Sequence, residues 1–409
     1  MNTPFSAPFQ ALGYLYQARY ALYLILEGRE EVELSIESLD DVVFEEGGTP
    51  HELLQLKHHG SPASLTNTSR DLWKTIRIWS IYLKEKTILP DTLLTLVTTA
   101  RASDNSIAAL LRPATARLNE PASAQHRSTG TRDPSLALQK MLEVAKTSNN
   151  KKLKSAFEAF LALSPQQQEM LVASIQVLDC SPNISDTATQ IKDKIRWNVR
   201  REHLEGVYER LEGWWFDKVV CHLSGRSTTP ITGFEVHDKI VEITEQFRPD
   251  ALPIDFLDAF PATPLDPEGD TRRFVAQLRA IAIKNRRIEK AILDYFRAFE
   301  QRSRWAREEL LIGGELSRYE RKLVDEWERY TLALEDELEI DEADESKLQK
   351  HGRKIYNWME LNANIPIRPR VTEAYVMRGS FHMLADKNPP SVWWHPKFVE
   401  RLEDLLSTK

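Results

Sequence analysis

Two short apolar runs, Val42-Val43-Phe44 and Leu53 to His58, flank the segment Glu46-Gly47-Gly48-Thr49-Pro50. Paired glycines between such runs signal a hairpin, because a tight return needs residues that adopt left-handed backbone at low cost. Just upstream, Val32, Leu34 and Ile36 alternate with Glu33, Ser35 and Glu37, the period of two of a half-buried strand. Leu12 to Leu26 is apolar around most of a helical circumference, which predicts a largely buried helix. A polar loop, Gly60 to Thr66, leads to a second helix over Ser69 to Lys84, and Asp91 to Thr99 reads as a fourth strand. The order α-β-β-β-α-β implies a small mixed α/β sheet flanked by helices.

Beyond this segment the chain turns helical. Arg101 to Asp133 is polar and irregular, read as a short helix and a mobile loop. Helices are expected over Leu136–Lys146, Lys151–Leu163, Pro165–Leu178, Ser185–Glu205 and Val207–Leu223. Ser164-Pro165 with Gln168 resembles an N-cap, a first-turn proline and a capping-box partner. A turn-rich patch, Ser224 to Gly233, marks a boundary, and one long helix, Thr271–Leu311, precedes another over Glu315–Leu338. The tail, Tyr375 to Leu405, is aromatic-rich. The expected organisation is a core over 1–115, a helical extension over 116–225 and a mainly helical C-terminal domain over 226–409.

Composition sets the class. With 42% hydrophobic and 28% charged residues, 409 positions can bury two or three cores. No apolar run reaches the roughly 18 to 20 residues of a membrane span, the first residues lack a basic leader, and two cysteines are too few for a disulfide framework. A cytoplasmic address with no membrane association is expected. A net charge of −7 argues against constitutive nucleic-acid binding but leaves room for a local cleft. The phosphate-binding pattern G-x-x-x-x-G-K-[ST] is absent, so the chain is not itself expected to be an ATPase.

Hydrolysis of a phosphodiester with a metal ion needs an acidic pocket and a lysine near the attacking water. One compact solution places an aspartate at the start of a strand, with an acid or amide and a lysine two residues apart on its neighbour, so that both share a face. Asp41 opens the Val42-Val43-Phe44 strand, and Gln55 and Lys57 lie on the next one. Glu37 is a further candidate ligand, Asp40 competes with Asp41, and Gln17 on the first helix is a candidate to orient a ligand or the water. Asp41 is favoured over Asp40 because it immediately precedes the apolar strand. The plainer alternative is a solvated strand face with a turn aspartate.

The runs Gly13-Tyr14-Leu15-Tyr16-Gln17, Ile36 to Val42, Leu54-Gln55-Leu56-Lys57-His58, Leu65-Thr66-Asn67 and Asp71-Leu72-Trp73-Lys74-Thr75 resemble the Cap-type double-stranded DNA nuclease domain of the PD-(D/E)xK superfamily, over roughly residues 10–100. The run Arg378 to Asp386, followed by Trp394-His395-Pro396, resembles the effector tail of ABC-three-component systems, over roughly 270–409. Together they resemble the nuclease subunit of a Lamassu-type anti-phage defence system. The resemblance implies a restriction-endonuclease-like core and a catalytic set of Asp41, Gln55 and Lys57. Metal ligands would come from Asp41, Gln55, Glu37 and Asp40, with Mg²⁺ as cofactor and Mn²⁺ as an alternative. It further implies double-stranded DNA as substrate, an SMC-like ATPase subunit and a small accessory subunit as partners, and self-association when active. Gln55 departs from the superfamily's usual acid, which shifts metal binding onto Asp41 and Glu37. Two rivals remain: a catalytically inert adaptor, and a self-sufficient restriction endonuclease, against which stands the lack of a helix-turn-helix reader.

Other features have ordinary readings. His58 and His59, adjacent on a strand, face opposite ways. His395 is expected in a packed structural turn, and Trp214-Trp215 in the core. Residues 284–307 carry eight Lys or Arg and three acids, a solvated mixed-charge helix or a phosphate-contacting one. The eight acids between Glu335 and Glu345 read as a solvated loop, or as a DNA-charge mimic.

Overall fold

The computed structural model describes residues 8–28, 30–113, 132–336, 344–398 and 400. The chain divides into two compact units, Met1–Thr244 and Glu245–Lys409.

In the first unit, α1 (Pro8–Glu27) is followed by β1 (Glu33–Ile36), β2 (Val42–Glu46) and β3 (Thr49–Lys57). The Gly47-Gly48 turn joins β2 to β3 with both φ values positive, 58° and 79°. This is the two-residue hairpin turn whose twist matches its strands. A short pair follows, β4 (Ser64–Leu65) beside β6 (Arg101–Ala102), separated by α2 (Arg70–Glu85) and β5 (Leu93–Thr98). Helices α3 (Ile107–Leu110), α4 (Pro134–Thr147), α5 (Lys154–Leu161) and α6 (Pro165–Ser174) lead into β7 (Ile175–Leu178). Then come α7 (Ile184–Ile195), a 3₁₀ turn at Arg201–His203, α8 (Leu204–Leu223), β8 (Ile231–Thr232) and α9 (Gly233–Glu245).

Strands β7-β5-β3-β2-β1-β8 form a six-stranded mixed sheet, parallel through β3, β5 and β7 and antiparallel elsewhere. One face carries Val43, Leu53, Leu94 and Leu96 under Trp73, Ile76 and Trp79 of α2, backed by Phe157 and Phe160 of α5. Trp73 meets Phe157 edge-on at 4.6 Å. Helices α1 and α8 contact β1, and α1 also packs along α7.

Several expectations need correction. The predicted helix Pro165–Leu178 stops at Ser174, and its last four residues are strand β7. A buried run Ile-Gln-Val-Leu ends a helix or forms a strand equally well by pattern; pairing with β5 decides it. The capping box uses Gln167, while Gln168 is buried with its amide on the Phe160 carbonyl. The predicted helix Ser185–Glu205 ends at Ile195, and α8 starts anew at Leu204. Ile231 and Thr232, assigned by the sequence to the C-terminal region, pair with β1, so the first unit runs on to Thr244. Trp215 is buried, its indole N–H on the Ala18 carbonyl at 2.7 Å, whereas Trp214 is half-buried. The predicted loop falls largely on residues 114–131, outside the described residues.

The second unit is helical: α10 (Arg273–Ala280), α11 (Asn285–Arg307), α12 (Glu315–Glu335), α13 (Glu345–Asn357) and α14 (Ala374–Asp386). The expected single helix Thr271–Leu311 is two. Ala282 sits at φ 58°, its N–H bonding the Arg279 carbonyl while the Ile283 N–H bonds that of Leu278. This is a Schellman stop without the usual glycine, which removes the sequence cue. The Arg378–Asp386 run lies within α14, which packs against α11, and six of the run's nine residues are buried. Gly379 lets the helices close in: a Cβ there would strike the Asp294 carbonyl oxygen and the Ala298 methyl. His395 is fully buried, as a packed turn requires. Three of the eight basic residues over 284–307 are paired, Arg287 with Glu360, Arg302 with Glu320 and Arg304 with Glu308. The acidic stretch falls mostly on residues 337–343, outside the described residues. Among the described residues no helix is long and apolar enough to cross a membrane.

Candidate active site

The hairpin register places the candidate residues. Val42 faces Leu54 and Val43 faces Leu53, so the next step outward sets Asp41 beside Gln55. Alternation puts Asp41, Gln55 and Lys57 on one face of the sheet, the face that α2 covers. Asp41 is 8% exposed, and its Oδ2 accepts the Leu56 N–H at 2.6 Å across the strands. The Lys57 ammonium lies 3.8 Å from the same oxygen. The end of β3 is held by β5: Lys57 pairs with Thr98, and the Thr99 N–H donates to the Lys57 carbonyl at 3.2 Å. Lys57 is therefore a long side chain on a fixed base, aimed at a fixed carboxylate.

Glu37 closes the β1–β2 loop. Its N–H donates to the Asp41 carbonyl at 3.1 Å, and its φ of 52° is unusual for a residue with a Cβ. Burial raises its carboxyl pKa, the charge of Asp41 raises it further, and Lys57 opposes both. Two carboxylates thus crowd one lysine, an arrangement a bound cation would relieve. Gln55 is 5% exposed, and its amide makes no hydrogen bond among the described residues.

Asp40 is engaged elsewhere. Its Oδ2 accepts the Trp79 indole N–H at 2.8 Å and its Oδ1 the Asp41 N–H at 3.0 Å. Burial pushes it up to about 6, with the Trp79 hydrogen bond pulling the other way. Of the two neighbours, Asp41 is the one paired with Lys57, and Asp40 ties the loop to α2. Tyr82, one turn on, donates to the Leu39 carbonyl at 2.8 Å. Gln17 is half-buried on α1 and makes no hydrogen bond to Asp41, Gln55 or Lys57 among the described residues. The ring of its neighbour Tyr16 packs on His58 at 4.8 Å.

His58 and His59 part as alternation requires. His58 turns to α1, and burial lowers its pKa. His59 turns to α2, where its Nε2 lies 3.1 Å from Asp71. The His59–Asp71 pair was not read from the sequence. The one available signal was an acid in the first turn of α2, a common placement at helix starts.

Asp41, Glu37 and the Gln55 amide oxygen are donors of the kind a hard divalent cation takes. Among the described residues no three His, Cys, Asp or Glu side chains converge as a metal nest, in keeping with an amide at Gln55. The donor set fits a weakly held ion completed by water and substrate oxygens.

Residues 274–402 match C-terminal domain 7 of the ABC-three component (ABC-3C) systems. The match covers about a third of the chain and supports a place in such a system. Among solved structures, the chain is similar to the Acinetobacter baumannii Cap4 SAVED/CARF-domain containing receptor with the cyclic trinucleotide 3'3'3'-cAAA. Identity is 13%, with a TM-score of 0.32 over 69% of this chain and 59% of that one. For the Moraxella osloensis Cap4 SAVED/CARF-domain containing receptor the values are 14%, 0.31, 66% and 60%. The chain thus spans about three fifths of those receptors, and likenesses of this size carry no argument here. No curated protein matches the chain.

Proposed function

We propose that this chain is the effector of an ABC-three-component anti-phage defence system, and that its first unit hydrolyses double-stranded DNA with a divalent metal ion. The observation that carries the reading is the Lys57 ammonium 3.8 Å from Asp41, on the same sheet face as an unpartnered Gln55 amide. Asp41, Gln55 and Glu37 would hold Mg²⁺, or Mn²⁺, on the oxygens described above. When bound, the ion lowers the pKa of a water and stabilises charge on the phosphate. Lys57 then has two tasks. Its N–H groups orient the attacking water, and its fixed positive charge offsets the negative charge that builds on phosphorus. Asp41 holds Lys57 in place and is itself held by the Leu56 N–H.

The match of residues 274–402 supports a partner ABC ATPase for the second unit, and the sequence resemblance makes it SMC-like, with a small accessory subunit, in a Lamassu-type assembly. A free nuclease would destroy its own cell, so activity must be gated. Release from the ATPase followed by self-association supplies two sites, one for each strand. Plasmid cleavage at rising protein concentration with Mg²⁺ tests the reading: a rate that climbs more steeply than linearly and is abolished by Asp41→Asn agrees with it. Linear, metal-independent cleavage, or cleavage that survives the substitution, sinks it. An adaptor role would instead leave every preparation silent with the ATPase partner and DNA ends supplied.

A further inference from the structure

The turn between α7 and α8 carries a large aromatic side chain in the open. Trp197 is 82% exposed, more than any other large apolar side chain among the described residues. Its neighbours Arg196, Asn198, Arg200 and Arg201 are exposed as well. The Arg196 guanidinium lies 5.1 Å from the Trp197 ring centre, over its face, and pairs with Asp193 at 3.1 Å. Arg200 and Arg201 have no side-chain ion pair or hydrogen bond among the described residues. Three arginines and one bare indole within six residues stand out in a chain of net charge −7.

The chemistry of this turn selects its partner. A protein interface seats its anchor tryptophan inside a wider apolar patch, whereas every exposed neighbour of Trp197 in the turn is polar or charged, and its one apolar neighbour there, Val199, is half-buried. Stacking on a nucleobase needs only one free ring face, with cations on either side for the phosphates. We propose that the Arg196–Arg201 turn is a contact for a DNA strand with an unpaired base, such as a duplex end. Trp197 stacks on the base, and Arg200 and Arg201 hold the flanking phosphates. Helix α7 sets the reach. Its first residue lies beside α1, where Arg19 donates to the Ile184 carbonyl at 3.0 Å and the adjoining Pro182 carbonyl accepts from Tyr16, the residue packed on His58. A helix of 12 residues spans about 18 Å. The turn is therefore a remote anchor, too far along to touch the phosphate that Lys57 would face. This inference extends the nuclease reading, but binding alone measures it.

The test is fluorescence anisotropy of a labelled DNA duplex with a single-stranded overhang, titrated with the full chain in EDTA, so that cleavage plays no part. Trp197→Ala should weaken binding about tenfold, the loss of one stacked base, and Trp197→Phe should restore most of it. Arg200→Gln with Arg201→Gln should lower the slope of log Kd against log salt by roughly 1.4, the value for two phosphate contacts on a single strand. Trp197 is exposed, so its loss should leave the melting temperature unchanged. Unchanged affinity in both variants overturns the proposal, as does a wild type that does not bind. Variants that keep DNA affinity but lose a purified ATPase partner would make the turn a protein contact and overturn it too. None of these outcomes depends on whether Asp41 and Lys57 cut DNA.

Discussion

The same substitution, glycine to alanine, should act in opposite directions in the two units. At Gly379 in α14 a new Cβ would lie 2.8 Å from the Asp294 carbonyl carbon, and closer still to its oxygen and to the Ala298 methyl. Carbon atoms in contact prefer about 3.5–4.0 Å, so α11 and α14 must separate by roughly 1 Å along the most extensive helix–helix contact of the unit. Overpacking of this kind costs about 1–3 kcal/mol, against a gain of about 1 kcal/mol from replacing a helical glycine. The carbonyl belongs to backbone and cannot rotate away, which puts the cost at the upper end, and a net loss of about 1–2 kcal/mol is expected. For a unit of this size that is a fall of roughly 2–8 °C in Tm, at about 2–4 °C per kcal/mol. At Gly213 in α8 nothing lies within 4 Å of a built Cβ. There alanine should stabilise by about 0.5–1 kcal/mol. Calorimetry of the full chain can assign each shift to its own unit if two transitions resolve. A neutral or stabilising Gly379→Ala would refute the close helix crossing as the reason for glycine there.

Asp40 has a native pKa of about 6, above its unfolded value near 3.9, so the native state holds the proton more tightly. Stability from this group is complete below about pH 4 and is lost as pH rises through 6; wild type should therefore gain on Asp40→Asn by up to about 3 kcal/mol between pH 8 and pH 4 in urea titrations. A pH-independent difference would count against a buried, burial-shifted Asp40. Arg112 grips Asp179 through two hydrogen bonds of 2.9 and 2.7 Å, and both are nearly sealed from water. Arg112→Leu should cost about 3–5 kcal/mol by stranding the carboxylate, and a loss below about 1 kcal/mol would show that the pair carries little. Gln55→Glu adds a charge beside Asp41 and should tighten Mn²⁺ binding severalfold by calorimetry; unchanged or weaker binding would separate Gln55 from the metal.

Local signals were legible and tertiary ones were not. The β2–β3 hairpin could be read because Gly47 and Gly48 are the cheapest residues for two consecutive positive φ angles. From that hairpin the face shared by Asp41, Gln55 and Lys57 follows by counting. By contrast, β7 is four residues whose state is set by a partner strand about eighty positions away. The break after α10 is made by an alanine in a glycine's role, and β8 is only two residues recruited by β1. At the site, the sequence could not divide the work between Asp40 and Asp41. That division depends on Trp79, which reaches Asp40 from α2. The exposure of Trp197 was likewise invisible, since an aromatic beside an apolar-periodic helix ordinarily counts toward the core.

The most direct test of the central claim is the single-turnover rate of plasmid cleavage with Mg²⁺, wild type against Lys57→Ala, with equal folding shown by their melting curves. Lys57 is 24% exposed at its side chain and supports no core, so its loss should spare stability. The account predicts a fall of at least about a hundredfold, the scale for removing one fixed charge-stabilising group from a transition state. Equal rates for the two proteins would contradict it.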